Sequence, residues 1–279
     1  KYIIFLNKSE KISLENYKNI KVVYVSKFFF NSILRIFWMQ TLLPFYLILY
    51  KVDVFFSPMN ILPIFLKLTK IKKVLVVHSN LPWLHPKDLP GSRFKISLQR
   101  FFTNVSVLIS DRLIVDSNNA KKEISKIFKN ISEKTSVVYL GVNFNFFDKN
   151  NMKFENLGII KSPYFLTISS SVRYHCIIEL IKAYEKTCME YEEIPDYLIL
   201  SKNLDKYYFS KIVKTINNSN FKSKIKLIEN IDKNYIPELY KNSFAYIFSS
   251  YCEVFGLTNL EAMYCKTPVL TSSESSIPE

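Results

Sequence analysis

Ser249-Ser250-Tyr251-Cys252-Glu253-Val254-Phe255-Gly256-Leu257-Thr258-Asn259-Leu260-Glu261-Ala262-Met263 follows directly on the apolar run Phe244-Ala245-Tyr246-Ile247-Phe248. The run has the length and the aromatic and β-branched content of a buried strand. Thr258 and Glu261 have capping-box spacing, which predicts a helix through Leu260, Ala262 and Met263. A strand that hands over to a helix N-terminus makes an anion site, because the first-turn N–H groups lack partners and the dipole favours negative charge. Gly256 lies in the connection, where backbone has to come close to another group. Taken alone, these residues leave Glu261 a helix cap and Glu253 a solvated loop carboxylate.

Upstream of this stretch the pattern alternates. Strands are predicted at Tyr164–Ser169, Tyr197–Leu200 and Ile225–Ile228, and helices at Ile177–Glu190, Lys206–Asn218 and Ile236–Lys241. Asn143–Ser162 is polar with little periodicity and reads as a linker. Before it come strands at Tyr2–Leu6, Ile20–Val25, Val52–Pro58, Lys73–His78, Asp111–Ser117 and Ser136–Leu140. Arg93–Leu108 has helical spacing, and Ser117–Phe128 reads as a capped helix with Ile124, Ile127 and Phe128 on one face. Strands alternating with helices imply mostly parallel sheets covered on both faces. The fold class is therefore α/β: two doubly wound Rossmann-like domains, residues 1–148 and 149–279, facing across a cleft, with ligands at the carboxyl ends of the strands. The chain opens on Lys1 inside a strand and closes on Glu279 with no element behind it, so it reads as incomplete at both ends.

Phe28–Lys51 is unusually apolar, but its charge-free part, Ile36–Tyr50, is shorter than the ~20 residues a membrane span requires. Gln40 and Pro44 interrupt it. It reads as a core helix first and a membrane-surface helix second.

The net charge of +14 rests mostly on lysine, with arginine only at Arg35, Arg93, Arg100, Arg112 and Arg173. No basic block is interleaved with aromatics, so no nucleic-acid partner is expected, and an anionic membrane surface suits the charge better. Cys176, Cys188, Cys252 and Cys265 form no C-x-x-C pair, which makes a reducing, cytoplasmic compartment the default. With four glycines in the chain there is no dinucleotide or P-loop motif. No His, Cys, Asp and Glu pattern has metal-ligand spacing, so neither a metal nor a cofactor is expected.

The block Glu253–Glu261, continued by Ala262 to Val269, resembles the E-x7-E donor-binding signature of the retaining family 4 glycosyltransferases, which have the GT-B fold. The resemblance runs over nearly the whole chain and is firmer in the second half. It implies that Glu253 contacts the transferred sugar and Glu261 the ribose hydroxyls, with Phe255, Gly256, Leu257 and Thr258 at the diphosphate. Asn230-Ile231 is similar to the segment that holds the nucleotide base through backbone groups, although an ordinary strand-to-helix loop reads equally well. Ser169–Cys176 is similar to the loop that carries the family's basic pair. Aligned on Leu180-Ile181-Lys182-Ala183, Ser170 stands where arginine is usual and His175 where lysine is usual, with Arg173 between them to supply charge. His78, in an H-x-x-x-P setting, falls at the family's active-site histidine, and Asn60 is an acceptor-side candidate. Val137–Asn143 resembles the end of the family's first domain, with a tight turn at Gly141. Lys266 occupies a usual glycine position, where a left-handed conformation costs roughly 1 kcal/mol.

The activity implied is transfer of a hexose from a nucleotide diphosphate sugar to a saccharide or lipid-linked saccharide hydroxyl, with retention and without a metal, in polysaccharide or lipopolysaccharide assembly. The donor phosphate itself takes the acceptor proton, so no protein base is assigned. The place of action implied is the cytoplasm or the inner face of its membrane. Two alternatives stay open: a nucleotide-sugar epimerase, which turns over without an acceptor, and a degenerate non-catalytic copy that binds a partner or membrane, which donor binding without transfer would favour. A glycoside hydrolase also uses paired carboxylates, but the anion-site context argues against it.

Overall fold

The computed structural model describes residues 1–7, 17–148, 154 and 158–279. In chain order the elements are β1 (Tyr2–Asn7), β2 (Ile20–Val25), α1 (Ser32–Leu49), β3 (Val54–Ser57), β4 (Lys72–Val77), α2 (Leu81–Leu84), α3 (Arg93–Ile109), β5 (Arg112–Val115), α4 (Asn118–Ile127), β6 (Thr135–Val137) and α5 (Phe144–Asp148). They continue with β7 (Tyr164–Ser170), α6 (Ile177–Glu190), β8 (Asp196–Lys202), α7 (Lys206–Asn218), β9 (Ile225–Ile228), α8 (Ile236–Lys241), β10 (Ala245–Phe248), α9 (Leu257–Tyr264) and β11 (Val269–Thr271). Contacts divide the described chain into two compact units, residues 1–76 with 101–113 and residues 77–100 with 114–279.

The five-stranded sheet has the order β11-β10-β7-β8-β9, and all its pairs are parallel. Counted along the chain from β7, that is 3-2-1-4-5, the doubly wound order, with its reversal between β7 and β10. Strand β8 shows how sequence builds the two layers. Leu198 and Leu200 pack in one core with Tyr164, Leu166, Leu239, Tyr246 and Ala262, from the α8 and α9 side. Tyr197 and Ile199 pack in the other, with Ile177 and Ile181 of α6 and Ile212 of α7. Successive side chains of a strand point to opposite faces, so a continuous apolar run buries both.

The other strands form a four-stranded sheet, β3-β4-β5-β6, and a separate parallel pair, β1-β2. The first half therefore carries two sheets where one was expected. In α1, Trp38, Leu43 and Leu47 form a core with Leu66 and Ile71, against which Phe5 and Val25 pack. Gln40 also works inside this unit: its amide donates to the Leu62 carbonyl at 3.1 Å and accepts from the Ile64 N–H at 2.9 Å. No helix among the described residues is long and apolar enough to cross a membrane.

Three local expectations are corrected. The stretch read as a linker opens with α5, whose Phe147 is buried beside Tyr240, because three phenylalanines in four residues have a core to enter. Gly141 takes no positive φ, since the chain passes it in ordinary conformation. β11 was not foreseen. It is three residues long and becomes a strand by pairing with β10.

Lys266 has a φ of +62°. Its N–H donates to the Met263 carbonyl at 2.9 Å and the Thr267 N–H to the Ala262 carbonyl at 3.0 Å, a Schellman end to α9. Lys266→Gly is expected to raise stability by about 1 kcal/mol in urea denaturation. Gly256→Ala is expected to lower it, because Gly256 has a φ of +81° and an added Cβ would lie 3.3 Å from Asn259 Nδ2.

Candidate functional site

The carboxyl ends of β7 and β10 flank the point where the strand order reverses. From β7 the chain passes Ser170 into a short turn, Arg173–His175, before α6. From β10 it passes Glu253 to Gly256, which occupies the N-cap position of α9 in left-handed conformation with no side chain capping it. The capping box is thus overturned. Thr258 lies inside the helix, and Glu261 turns away from the helix start to accept from the Tyr240 hydroxyl at 3.2 Å. Gly256 adopts this positive φ easily where other residues do not, and in place of a capping side chain its carbonyl accepts the Asn259 N–H at 3.0 Å.

Glu253 is held from several directions. His175 Nε2 lies 3.1 Å from its Oε1, and both side chains are largely buried. The Ser275 and Ser276 hydroxyls donate to its backbone carbonyl at 2.6 and 2.7 Å. The ring of the next aromatic, Phe255, lies 5.8 Å from that of Tyr139. Arg173 is exposed on the turn before His175. Tyr251, two residues before Glu253, donates its hydroxyl to Asp88 at 2.9 Å.

His78 follows β4 and Asp116 follows β5, its neighbour in the sheet. Asp116 is nearly buried and accepts from His78 Nδ1 at 2.9 Å, which fixes the imidazole tautomer, while the His78 side chain is 43% exposed. Asn80 donates to Glu123 of α4. Val77 and Asn80 line a small cavity with Val115, Ala120, Ile124 and Val254, so the residue after Glu253 packs beside the strand end that carries His78. Glu279 accepts from the backbone amides of Asn118 and Asn119 at the start of α4, at 2.8 and 2.5 Å. Burial pushes its carboxyl up, but the hydrogen bonds from those amides, the Tyr139 hydroxyl and the Asn118 side chain together outweigh it and hold the group below its ordinary value.

Of the expected residues, Ser170, His175, Glu253, Phe255, Gly256, Leu257 and Thr258 therefore converge on the strand ends around the reversal. Glu261 lies one helical turn along α9. Asn230 and Ile231 follow β9; Asn230 is exposed and Ile231 packs on the core. Asn60 belongs to the first unit, where it has a φ of +58° and its N–H donates to the Val76 carbonyl at 3.1 Å. Sequence reading missed Asp116, Asp88 and Glu123. For Asp116 a signal existed: it and His78 each lie at the carboxyl end of a predicted strand, and each stands one residue beyond the observed one.

A doubly wound parallel sheet with a helix N-terminus at its reversal defines an α/β protein of the Rossmann-like class. The chain belongs to glycosyltransferase family 4: residues 2–146 match the family described as Glycosyltransferase Family 4 and residues 148–279 match glycosyl transferases group 1. It is 26% identical over 221 residues to the O-antigen chain mannosyltransferase RfbU of Salmonella typhimurium, an alignment covering 76% of this chain and 59% of that protein. The match thus takes in less than two thirds of that relative's length. Among solved structures, Anabaena HepE in complex with UDP-glucose superposes with a TM-score of 0.70 at 15% identity, over 99% of this chain and 81% of that one. A glycosyltransferase from Rickettsia africae superposes with a TM-score of 0.67 at 19% identity, over 92% and 67%. At such identities the likeness is one of fold, and the fold is GT-B.

Burial raises the Glu261 carboxyl above its ordinary value of 4.5, and the bond from Tyr240 only partly offsets this. A carboxylate raised on folding makes the folded state bind the extra proton. Stability then falls as pH climbs from about 4.5 through the raised value, and the full cost is present at neutral pH. Glu261→Gln, which still accepts from Tyr240, is expected to raise the melting temperature at pH 7, with the gain shrinking below about pH 4. Thermal unfolding of both proteins across that range checks it.

Proposed function

We propose that this chain is a retaining glycosyltransferase that moves a hexose from a nucleotide diphosphate sugar to a saccharide or lipid-linked saccharide hydroxyl in surface polysaccharide assembly. The observation that carries the reading is the convergence of Glu253, His175 and the uncapped N-terminus of α9 at the carboxyl ends of β7 and β10. RfbU is named an O-antigen chain mannosyltransferase, and HepE holds UDP-glucose on the same fold; both support it.

In this reading the donor diphosphate lies against the first turn of α9, with Ser170, Arg173 and His175 on its other side. Those groups neutralise the negative charge that grows on the leaving diphosphate as the glycosidic bond breaks. Glu253 binds the transferred sugar and Glu261 the ribose. Asn230 and Ile231 border the base. His78, its tautomer set by Asp116, orients the sugar or acceptor, and Asn60 contributes on the acceptor side. In the same reading the acceptor domain is residues 1–148 and the donor domain residues 149–279, a division supported by the two family matches to residues 2–146 and 148–279.

The acceptor partner is placed at an anionic membrane surface. Leu42, Phe45, Ile48 and Leu49 form an exposed apolar face on the second half of α1, and Lys51 and Lys70 line the same concavity as Ile48. An apolar stripe beside lysines suits the headgroup region of anionic lipid.

Calorimetric titration with UDP, GDP, UDP-glucose and GDP-mannose is expected to give saturable binding of one nucleotide class, lost in Glu261→Ala. Transfer by that donor is expected to survive EDTA. Absence of binding by all four would overturn the reading. Cosedimentation is expected with phosphatidylglycerol vesicles but not phosphatidylcholine vesicles, and to be lost in Phe45→Glu/Ile48→Glu; equal pelleting of the variant would remove the membrane surface from the proposal.

A further inference from the structure

His175 stands where a lysine is usual in the family, and its surroundings do something a lysine cannot. Nε2 lies 3.1 Å from Glu253 Oε1. Nδ1 lies 2.8 Å from the Ser170 carbonyl oxygen and 3.2 Å from the Ser170 nitrogen. One backbone residue thus offers Nδ1 both an acceptor and a donor. A neutral ring protonated on Nε2 donates to Glu253 and accepts the Ser170 N–H. A doubly protonated ring donates to Glu253 and to the Ser170 carbonyl. Either state is fully hydrogen-bonded, and in both of them the Nε2 proton points at the same carboxylate oxygen.

The ring has little freedom to do otherwise. The Tyr174 ring centre is 4.6 Å away and that of Phe248 5.5 Å, and the Ser249 hydroxyl donates to the His175 carbonyl at 3.2 Å. The titratable groups nearby are Glu253 on the β10–α9 connection, Tyr174 and Arg173 in the same turn, and the thiols of Cys176 and Cys252. Burial, with Glu253 and Cys252 adding to it, pushes Tyr174 up to about 12. Burial first, then Glu179 and Asp88, push Cys176 up to about 11, and burial with Glu123, Glu253 and Asp88 pushes Cys252 up to about 12. Those three stay neutral through the physiological range.

We propose that His175 is a positioning residue that holds Glu253 through Nε2–H in both charge states, so that its second proton, exchanged against the Ser170 backbone, sets the charge of the donor site without moving the acid. This rests on the donor-binding reading of the site. A lysine would keep the diphosphate pocket equally positive at every assay pH. Histidine makes affinity for the diphosphate fall as pH rises, while the sugar contact made by Glu253 persists.

The test compares the wild type with His175→Lys and His175→Ala, using UDP-glucose and GDP-mannose, whose diphosphates carry no proton that titrates between pH 6 and 8.5. Wild-type affinity for whichever probe binds is expected to fall by about tenfold from pH 6 to 8.5, the effect of one lost charge contact, and that of His175→Lys to stay level. His175→Lys is expected to keep both KM for the donor and kcat level with pH, the wild type to lose donor affinity and kcat together as pH rises, and His175→Ala, which releases Glu253, to lower kcat at both ends. Parallel falls in the wild type and His175→Lys would overturn the proposal. If neither probe binds at either pH, the transferase reading fails, and the ring itself remains decisive. Nitrogen-15 NMR of the imidazole is expected to show Nε2 protonated throughout and Nδ1 alone titrating; a neutral ring protonated on Nδ1 would overturn the assignment.

Discussion

Between β7 and β10 the winding of the five-stranded sheet reverses direction, and the candidate donor site depends on that reversal. The chain leaves β7 for β8 on one side and reaches β10 on the other, so the connections beyond the two strands diverge and leave room at the sheet end. Into that room come the turn carrying His175 and the loop carrying Glu253, residues 78 apart in sequence whose side chains meet at 3.1 Å. The buried faces on either side of the sheet keep the strand ends still. Tyr197 and Ile199 face α6 and α7, and Leu198 and Leu200 face α8 and α9.

Several features of the second unit around the candidate site cost stability. Glu261 is a carboxyl raised by burial with one hydroxyl partner, an arrangement that an apolar residue would improve on for folding alone. Gly256 gives up the entropy advantage of a side chain to open α9 with a positive φ. Cys176 adopts a φ of +52° at the start of α6, directly after the turn that presents His175. Lys266 carries similar strain but lies at the other end of α9, away from the candidate site, so it reads as a local flaw in stability rather than a device.

The fold was legible because its elements are local events. Ile177–Glu190, Lys206–Asn218, Ile225–Ile228 and Ile236–Lys241 have the bounds expected from periodicity, caps and β-branched content. Where reading failed, a longer-range partner had intervened. Thr258 and Glu261 have capping-box spacing, yet Tyr240, 21 residues away, draws Glu261 off the helix start. Phe144, Phe146 and Phe147 showed no useful period, yet a core waiting for Phe147 folds them into α5.

By itself the sequence determined the class of the protein, most of its helices and strands, and the E-x7-E block with the residues on either side of it, because hydrophobic period, turn chemistry and a long motif are all written within a few residues of each other. Tertiary structure alone decided which side chains meet: His175 with Glu253, His78 with Asp116, Glu261 with Tyr240, and Glu279 with the start of α4. His175 meets Glu253 and His78 meets Asp116 through the order of strands in a sheet, and the other two pairs meet through the packing of helices and loops around it; both are properties of the whole fold that no local stretch of sequence encodes.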